Sequence, residues 1–473
     1  MLFNSISFLI FFPVVTSLYF LLPFRFRWIL LLAASCFFYM YFKPEYILIL
    51  AFTIIIDYYA GILLAGEPDK VKRKKYLVLS IVANVGVLAV FKYYNFLNGN
   101  ITGLALYFGA KNPMPVMNWL LPIGLSFHTF QAMSYTIEVY RGNQPAERHF
   151  GIYALYVMFY PQLVAGPIER PQNIIHQFHE NHKFNYENAV LGFNLIIYGF
   201  FKKMVIADRL SDYVNSVYGN IEHANTVSTI LACCFFSVQI YCDFSGYSDI
   251  ARGTAKVMGY DLMINFNRPY LATSISEFWT RWHISLSTWF RDYLYIPLGG
   301  SRNGNWKLYR NLFVVFLLSG LWHGASWTFI VWGALHCFYM ITGIATKQIR
   351  HRAAAATGIT AFPRLYRFLN QSVVFLLVTF AWIFFRAENF DKAMAIIHKL
   401  LAFDFTFNLY QVSAERGPLN LLMTFFVIGL LGLSYVLPAN LKLKRNLLFQ
   451  ILTIFLIIIL SKNAGTEFIY FQF

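Results

Sequence analysis

Residues Tyr46–Ala65 read YILILAFTIIIDYYAGILLA. The run holds one side chain charged at neutral pH, Asp57, and its length matches the roughly 20 apolar residues a helix needs to cross a bilayer core. A surface helix of a water-soluble protein would show a polar stripe along such a run. Working outward, apolar runs recur at 4–22, 28–41, 76–96, 119–140, 152–165, 191–206 and 226–242, then at 311–322, 327–344, 372–385, 419–437 and 447–460. Several are too short or too polar for simple crossings and read as half-helices or re-entrant pieces. Such backbone is tolerated at membrane depth only where protein or a water-filled cavity covers it. The expectation is an all-α, polytopic integral membrane protein with roughly 11 to 13 membrane-embedded helices.

Composition agrees. Of 473 residues, 58% are hydrophobic and 13% charged, against about half and a quarter in soluble proteins. No Gly/Ser/Pro-rich linker interrupts the chain, so we expect one domain over 1–473, with N-terminal spans in 1–140, a core in 150–345 and C-terminal spans in 370–473. The net charge of +16 does not point to nucleic acid. The basic residues fall in short loops between apolar runs and set orientation against acidic lipid. Arg25 and Arg27 lie in one loop, and Lys70 and Lys72–Lys75 in another two spans later. Both can face the cytoplasm if the N-terminus lies outside. Arg350, Arg352, Arg364 and Arg367 mark a third such loop, and Lys442, Lys444 and Arg445 a fourth. The opening MLFNSISFLIFF has no basic residue before its apolar run and reads as a retained span. Five cysteines without a C-x-x-C pair argue against a disulfide framework or structural zinc, and no metal site is expected.

Between Gln239 and His336 the composition changes. Asp243, Ser245, Asp249, Arg252, Asn265, Asn267, Arg268, Glu277, Arg281, His283, Arg291 and Asp292 crowd this stretch. Polar groups at membrane depth are costly and mark a buried site by default, although an interfacial amphipathic segment would show the same composition. Trp279, His283, Ser287 and Arg291 are spaced by four and would share one helical face. His323 lies in SGLWHGAS, where Gly320, Gly324 and Ala325 let a substrate or another backbone approach closely. Each histidine taken alone is better read as a hydrogen-bonded interior or interfacial residue. Asp57 is read as a helix-packing polar residue. No G-x-S-x-G elbow, Walker A loop or H-E-x-x-H spacing occurs.

Acyl transfer to an alcohol needs a base of near-neutral pKa, for which histidine is suited, a means of stabilising an oxyanion, and cations for a phosphorylated donor. His323 is the candidate base. His283 could steady the oxyanion or the acceptor. Arg281, Arg291 and Arg302 could meet phosphates or, equally, lipid headgroups. Trp279, Ser287, Asn267, Asp243 and Trp322 are the candidate lining residues.

The words LVAGPIERP (163–171), QIYCDFSGYSDIA (239–251), NFNRPY (265–270), EFWTRWHISLSTWFRDYLYIPLGG (277–300) and SGLWHGASWTFIVWGALH (319–336) carry a resemblance to the membrane-bound O-acyltransferase family, in its bacterial polysaccharide-acetylating branch. The opening and closing stretches also resemble that branch, so the resemblance covers essentially the whole chain. Cys242, Thr280 and Cys337 depart from the family's pattern. The resemblance implies a helical bundle with a funnel reaching a buried histidine. His323 matches the essential histidine and His283 the second. It further implies acetyl-CoA as co-substrate with no permanently bound cofactor, a location in the bacterial plasma (inner) membrane, and delivery of acetyl across the bilayer. An SGNH-like partner outside would complete O-acetylation of an exported polysaccharide, alginate first among the choices. Another wall polymer or exopolysaccharide is the alternative acceptor. A transporter or a scaffold of a secretion complex is the rival class; the absence of repeated halves argues against the transporter.

Overall fold

The structure is a computed structural model and describes residues 1–117, 122–164, 166–302, 304–405, 412–413, 417–436, 447–461 and 468–469. The basic loop at Lys442, Lys444 and Arg445 and the start of the 119–140 run lie outside the described residues. No strand occurs among the described residues.

The N-terminal region comprises α1 (Ile6–Leu21), α2 (Phe24–Met40), α3 (Tyr46–Gly66), α4 (Lys70–Leu88), α5 (Tyr94–Tyr107) and α6 (Leu125–Arg141). Short helices α7 (Phe150–Met158), α8 (Tyr160–Leu163) and α9 (Pro171–Phe178) follow. The centre is built from α10 (Tyr186–Phe200), α11 (Asp208–Gly219), α12 (Thr226–Val257), α13 (Ile275–Arg281), α14 (Ile284–Phe290), α15 (Asn305–His323) and α16 (Trp327–Ala345). Next come α17 (Lys347–Ala356), α18 (Pro363–Arg386) and α19 (Phe390–Leu401), and two further helices, Pro418–Val436 and Leu447–Leu460.

Among the described residues seven helical stretches are long and apolar enough to cross a membrane, and Ile6–Leu21 and Gln450–Leu460 are shorter apolar helices. Ile10, Leu63, Val82, Leu376 and Ile458 are exposed. Such a coat would be an aggregation liability in water; against lipid tails it is matched.

The apolar pattern at 226–242 ends near Cys242, yet α12 continues unbroken to Val257 and carries the polar word DFSGYSDIA in helical form. It can do so because α10 covers it. Gly192 and Gly199 of α10 face Gly253 and Gly246 of α12, and a Cβ on any of the four would lie 2.5–2.8 Å from the opposing glycine's carbonyl oxygen. Close backbone approach through small residues is the usual packing device where lipid removes the hydrophobic drive between helices. Just past this contact the chain widens into a π-helical segment, Phe201–Ala207. There Lys203 meets Asp243 at 2.7 Å and Asp208 at 2.9 Å, and Lys202 meets Asp249 at 2.7 Å. Asp57 of α3 is buried and accepts from Ser80 Oγ at 2.5 Å and Asn84 Nδ2 at 2.8 Å on α4, in keeping with its packing role.

Candidate active site

His323 is the last residue of α15 and is buried. The final carbonyls of a helix have no partner inside it. Here they are met from α4 and α5, which are joined by a π-helical turn at Ala89–Tyr93. Lys92 Nζ donates to the carbonyls of Trp322 (2.6 Å) and His323 (3.0 Å), and Tyr93 Oη to that of Leu321 (2.7 Å). A cation at a helix C-terminus is also favoured by the helix dipole. The catalytic candidate thus stands on a fixed helix end.

The glycines around it serve the backbone. A Cβ on Gly320 would collide with the carbonyl of Phe329, one on Gly333 with that of Phe316, and one on Gly324 with the Phe329 ring. These contacts let α15 and α16 close into a tight hairpin. The His323 ring meets Trp322 (4.8 Å), Trp332 (5.0 Å) and Phe385 (5.3 Å) edge-on.

His283 is fully buried, but it is not on a continuous helix. The expected face through Trp279, His283, Ser287 and Arg291 does not form, because α13 ends at Arg281 and α14 begins at Ile284. His283 itself takes the left-handed conformation, φ 42° and ψ 56°. The break is held by the loop segment 265–267: Ile284 N donates to Asn265 O (2.9 Å) and Asn267 N to Arg281 O (2.9 Å). Asn265 Oδ1 accepts from Ser285 N (3.2 Å) and Ser285 Oγ (2.8 Å), and His283 Nδ1 lies 3.2 Å away. An oxygen acceptor there assigns the proton to Nδ1 and leaves Nε2 as the lone-pair nitrogen. Nε2 is buried without a hydrogen-bond partner among the described residues. Its ring stacks near Phe127 (6.1 Å), meets Phe244 edge-on (4.7 Å) and lies 6.1 Å from Trp322. The Trp322 indole therefore touches both histidines.

Other expected residues are distributed differently. Asn267 is exposed and engages Arg281 through its backbone; the buried asparagine at the histidine is Asn265. Asp243 turns to Lys203 and to Ile469 N (2.7 Å), so it ties helices together and does not line the histidine site. Ser287 Oγ donates to Trp282 O (3.2 Å). Trp279 is buried and packs on α16. The three arginines do not converge. Arg281 pairs with Glu277 (2.5 Å), Arg291 with Asp292 (2.8 Å), and Arg302 is exposed. Arg291 does have cationic company: Arg170 also reaches Asp292 (3.3 Å), and Arg141 and Arg170 both lie over the Tyr293 ring.

The sequence reading missed Asn265 as the partner of His283, Lys92 as the clamp, and His336. Lys92 had a signal, since a lone lysine within an apolar run is costly and invites a functional reading. Among the described residues no group of His, Cys, Asp and Glu side chains could hold a metal ion.

Residues 117–384 match the sequence profile of the membrane-bound O-acyltransferase family. The chain is 38% identical over 448 residues to a probable alginate O-acetylase of Pseudomonas aeruginosa, covering 94% of this chain and 82% of that protein. It is 35% identical over 393 residues to a peptidoglycan O-acetyltransferase of Helicobacter pylori, covering 78% and 72%. A teichoic acid D-alanyltransferase of Bacillus subtilis is 28% identical over 235 residues, covering 48% and 60%.

Proposed function

Because the chain belongs to the membrane-bound O-acyltransferase family, and is a membrane acyltransferase on that ground, we propose that it takes acetyl from cytoplasmic acetyl-CoA and passes it across the bilayer for O-acetylation of an exported polysaccharide. Alginate is the first choice of polymer, because the relatives that cover most of this chain are named for it. Peptidoglycan is the second, since one relative is named for that. An SGNH-like acetyltransferase outside the membrane receives the acetyl group and completes the transfer.

The observation that carries this reading is the buried pair His323 and His283, each with a fixed backbone and a shared Trp322 wall. His323 takes the proton from the attacking hydroxyl as oxygen bonds to the thioester carbon. It then returns a proton to the departing thiolate. His283, its Nδ1 proton engaged by Asn265, is held against the Trp322 indole that also flanks His323 and forms the wall beside the attacking hydroxyl. The aromatic walls exclude water, which would otherwise hydrolyse the thioester.

The test is transfer of labelled acetyl from acetyl-CoA in membranes carrying the external partner. His323→Ala should abolish label in partner and polymer at equal protein abundance. Equal transfer from both forms would remove His323 from the mechanism, and no transfer from either would point to another donor.

A further inference from the structure

The word LVAGPIERP holds no catalytic candidate, yet its middle lies against the His283 turn. Ile168 N donates to Ser285 Oγ at 3.1 Å. The next residue, Glu169, accepts from Met263 N at 2.5 Å through Oε1. Both residues are buried, and Tyr156 Oη of α7 donates to the Glu169 carbonyl at 3.1 Å. Successive residues of one loop thus grip both segments that meet at His283. Ser285 belongs to α14, and Met263 leads into Asn265. The loop has little freedom of its own. Pro167 fixes one backbone angle, and a Cβ on Gly166 would lie 2.3 Å from Gln162 Cα.

These bonds have a direction. A backbone N–H can only donate, so Ser285 Oγ accepts from Ile168 and spends its single hydrogen elsewhere. That hydrogen goes to Asn265 Oδ1 at 2.8 Å. The Ser285 backbone N–H, again only a donor, reaches the same oxygen at 3.2 Å. Which way a carboxamide turns is decided by such bonds. Here its oxygen is turned toward His283 and its nitrogen toward Ser248 Oγ of α12, 3.5 Å away. His283 Nδ1 consequently faces two oxygens, Asn265 Oδ1 at 3.2 Å and Ser285 Oγ at 3.5 Å. Neither has a hydrogen left to give. A proton on Nδ1 and a bare Nε2 satisfy every member of the chain.

We propose that Ser285 is a positioning residue for acetyl transfer. Polarised by the Ile168 N–H, it locks the Asn265 oxygen on His283 and so keeps Nε2 of His283 an acceptor. The proposal rests on the reading of His283 as part of the acyl-transfer site. An acceptor nitrogen suits a site whose substrate brings a hydroxyl hydrogen, and the other tautomer would place a second donor there. Ser285 and Asn265 touch no reacting atom in this scheme and act through His283.

The experiment is nitrogen NMR of the full-length protein, isotopically labelled in histidine and held in lipid nanodiscs. The His283 signals are assigned by their loss in His283→Gln. Acetyl transfer is measured in parallel. Wild-type protein should show a protonated Nδ1 and a bare Nε2; a proton on Nε2 alone would overturn the proposal without recourse to any variant. Ser285→Ala leaves the longer backbone contact alone on Asn265 Oδ1. It should mix the two tautomers and lower turnover between about two- and tenfold, the range of one neutral hydrogen bond, with KM for acetyl-CoA little altered. A carboxylate presents oxygen whichever way it turns. The double variant Ser285→Ala with Asn265→Asp should therefore return the proton to Nδ1 throughout, which refilling a lost packing contact would not do. Wild-type tautomer and turnover in Ser285→Ala, or mixed tautomers in the double variant, would overturn the lock. A shifted tautomer with unchanged turnover would remove His283 from the reaction, and the positioning role with it. The NMR needs neither donor nor partner, so that failure is told apart from failure of the lock.

Discussion

His283 occupies backbone that favours glycine. A non-glycine residue in the left-handed region carries a cost of about 1–2 kcal/mol, and the fold bears it here because Asn265 must reach both the ring and the start of α14. The strain and the side chain can be separated. His283→Gly and His283→Ala both delete the imidazole, and both should lower acetyl transfer at least tenfold. Only glycine relieves the backbone, so His283→Gly should be the more stable of the two by about 1 kcal/mol, read as a higher melting temperature. Equal melting temperatures would mean the left-handed turn is held without strain. The identity of His283 was legible in the word RWHISLS, but its conformation was not. The four-residue spacing Trp279–His283–Ser287–Arg291 describes a helix perfectly well, and only hydrogen bonds from a segment eighteen residues earlier break it in two.

At the scale of elements, the end of α15 is the decisive feature. Its last carbonyls are claimed by Lys92 and Tyr93 from the π-helical turn between α4 and α5, and π-turns inside helices frequently sit at functional places. Lys92→Met preserves the stem and deletes the cation. A positional error of about 1 Å in a catalytic group can cost on the order of a hundredfold in rate. Lys92→Met should therefore lower the turnover of acetyl transfer between about ten- and a hundredfold, with the Michaelis constant for acetyl-CoA little altered. A variant with normal turnover would show that α15 holds His323 without the clamp. The glycine contacts behave alike: SGLWHGAS suggested room for a substrate or a backbone, and the structure fills that room with Phe329 and the neighbouring helix.

For the whole molecule, a buried charge network holds the middle of the bundle. Lys203 bridges Asp243 of α12 and Asp208 of α11, and Asp243 also receives the backbone N–H of Ile469 near the end of the chain. Removing one partner of a buried ion pair typically costs about 3–5 kcal/mol, because the remaining charge is left uncompensated. Lys203→Met should destabilise the protein on that scale, seen as a large drop in melting temperature in detergent and low membrane abundance. A melting temperature like that of the wild-type protein would show that the two carboxylates find other partners or protonate without penalty.

The sequence alone shows that the chain is helical and membrane-embedded, because a run of twenty apolar residues has few other stable states in lipid, and its motif words carry the family and single out two histidines that the structure buries. What touches those histidines was decided only by the tertiary structure. Asn265, Lys92 and His336 come from separate segments, and the partner of each is fixed by how helices pack. Asp243 and Asn267 looked like site residues for the same reason: a sequence records that a polar group lies at membrane depth, where it must be satisfied, but not which neighbour satisfies it. Glycine contacts between α10 and α12 and between α15 and α16 set those neighbours, since they fix how closely the backbones approach and which side chains then face one another.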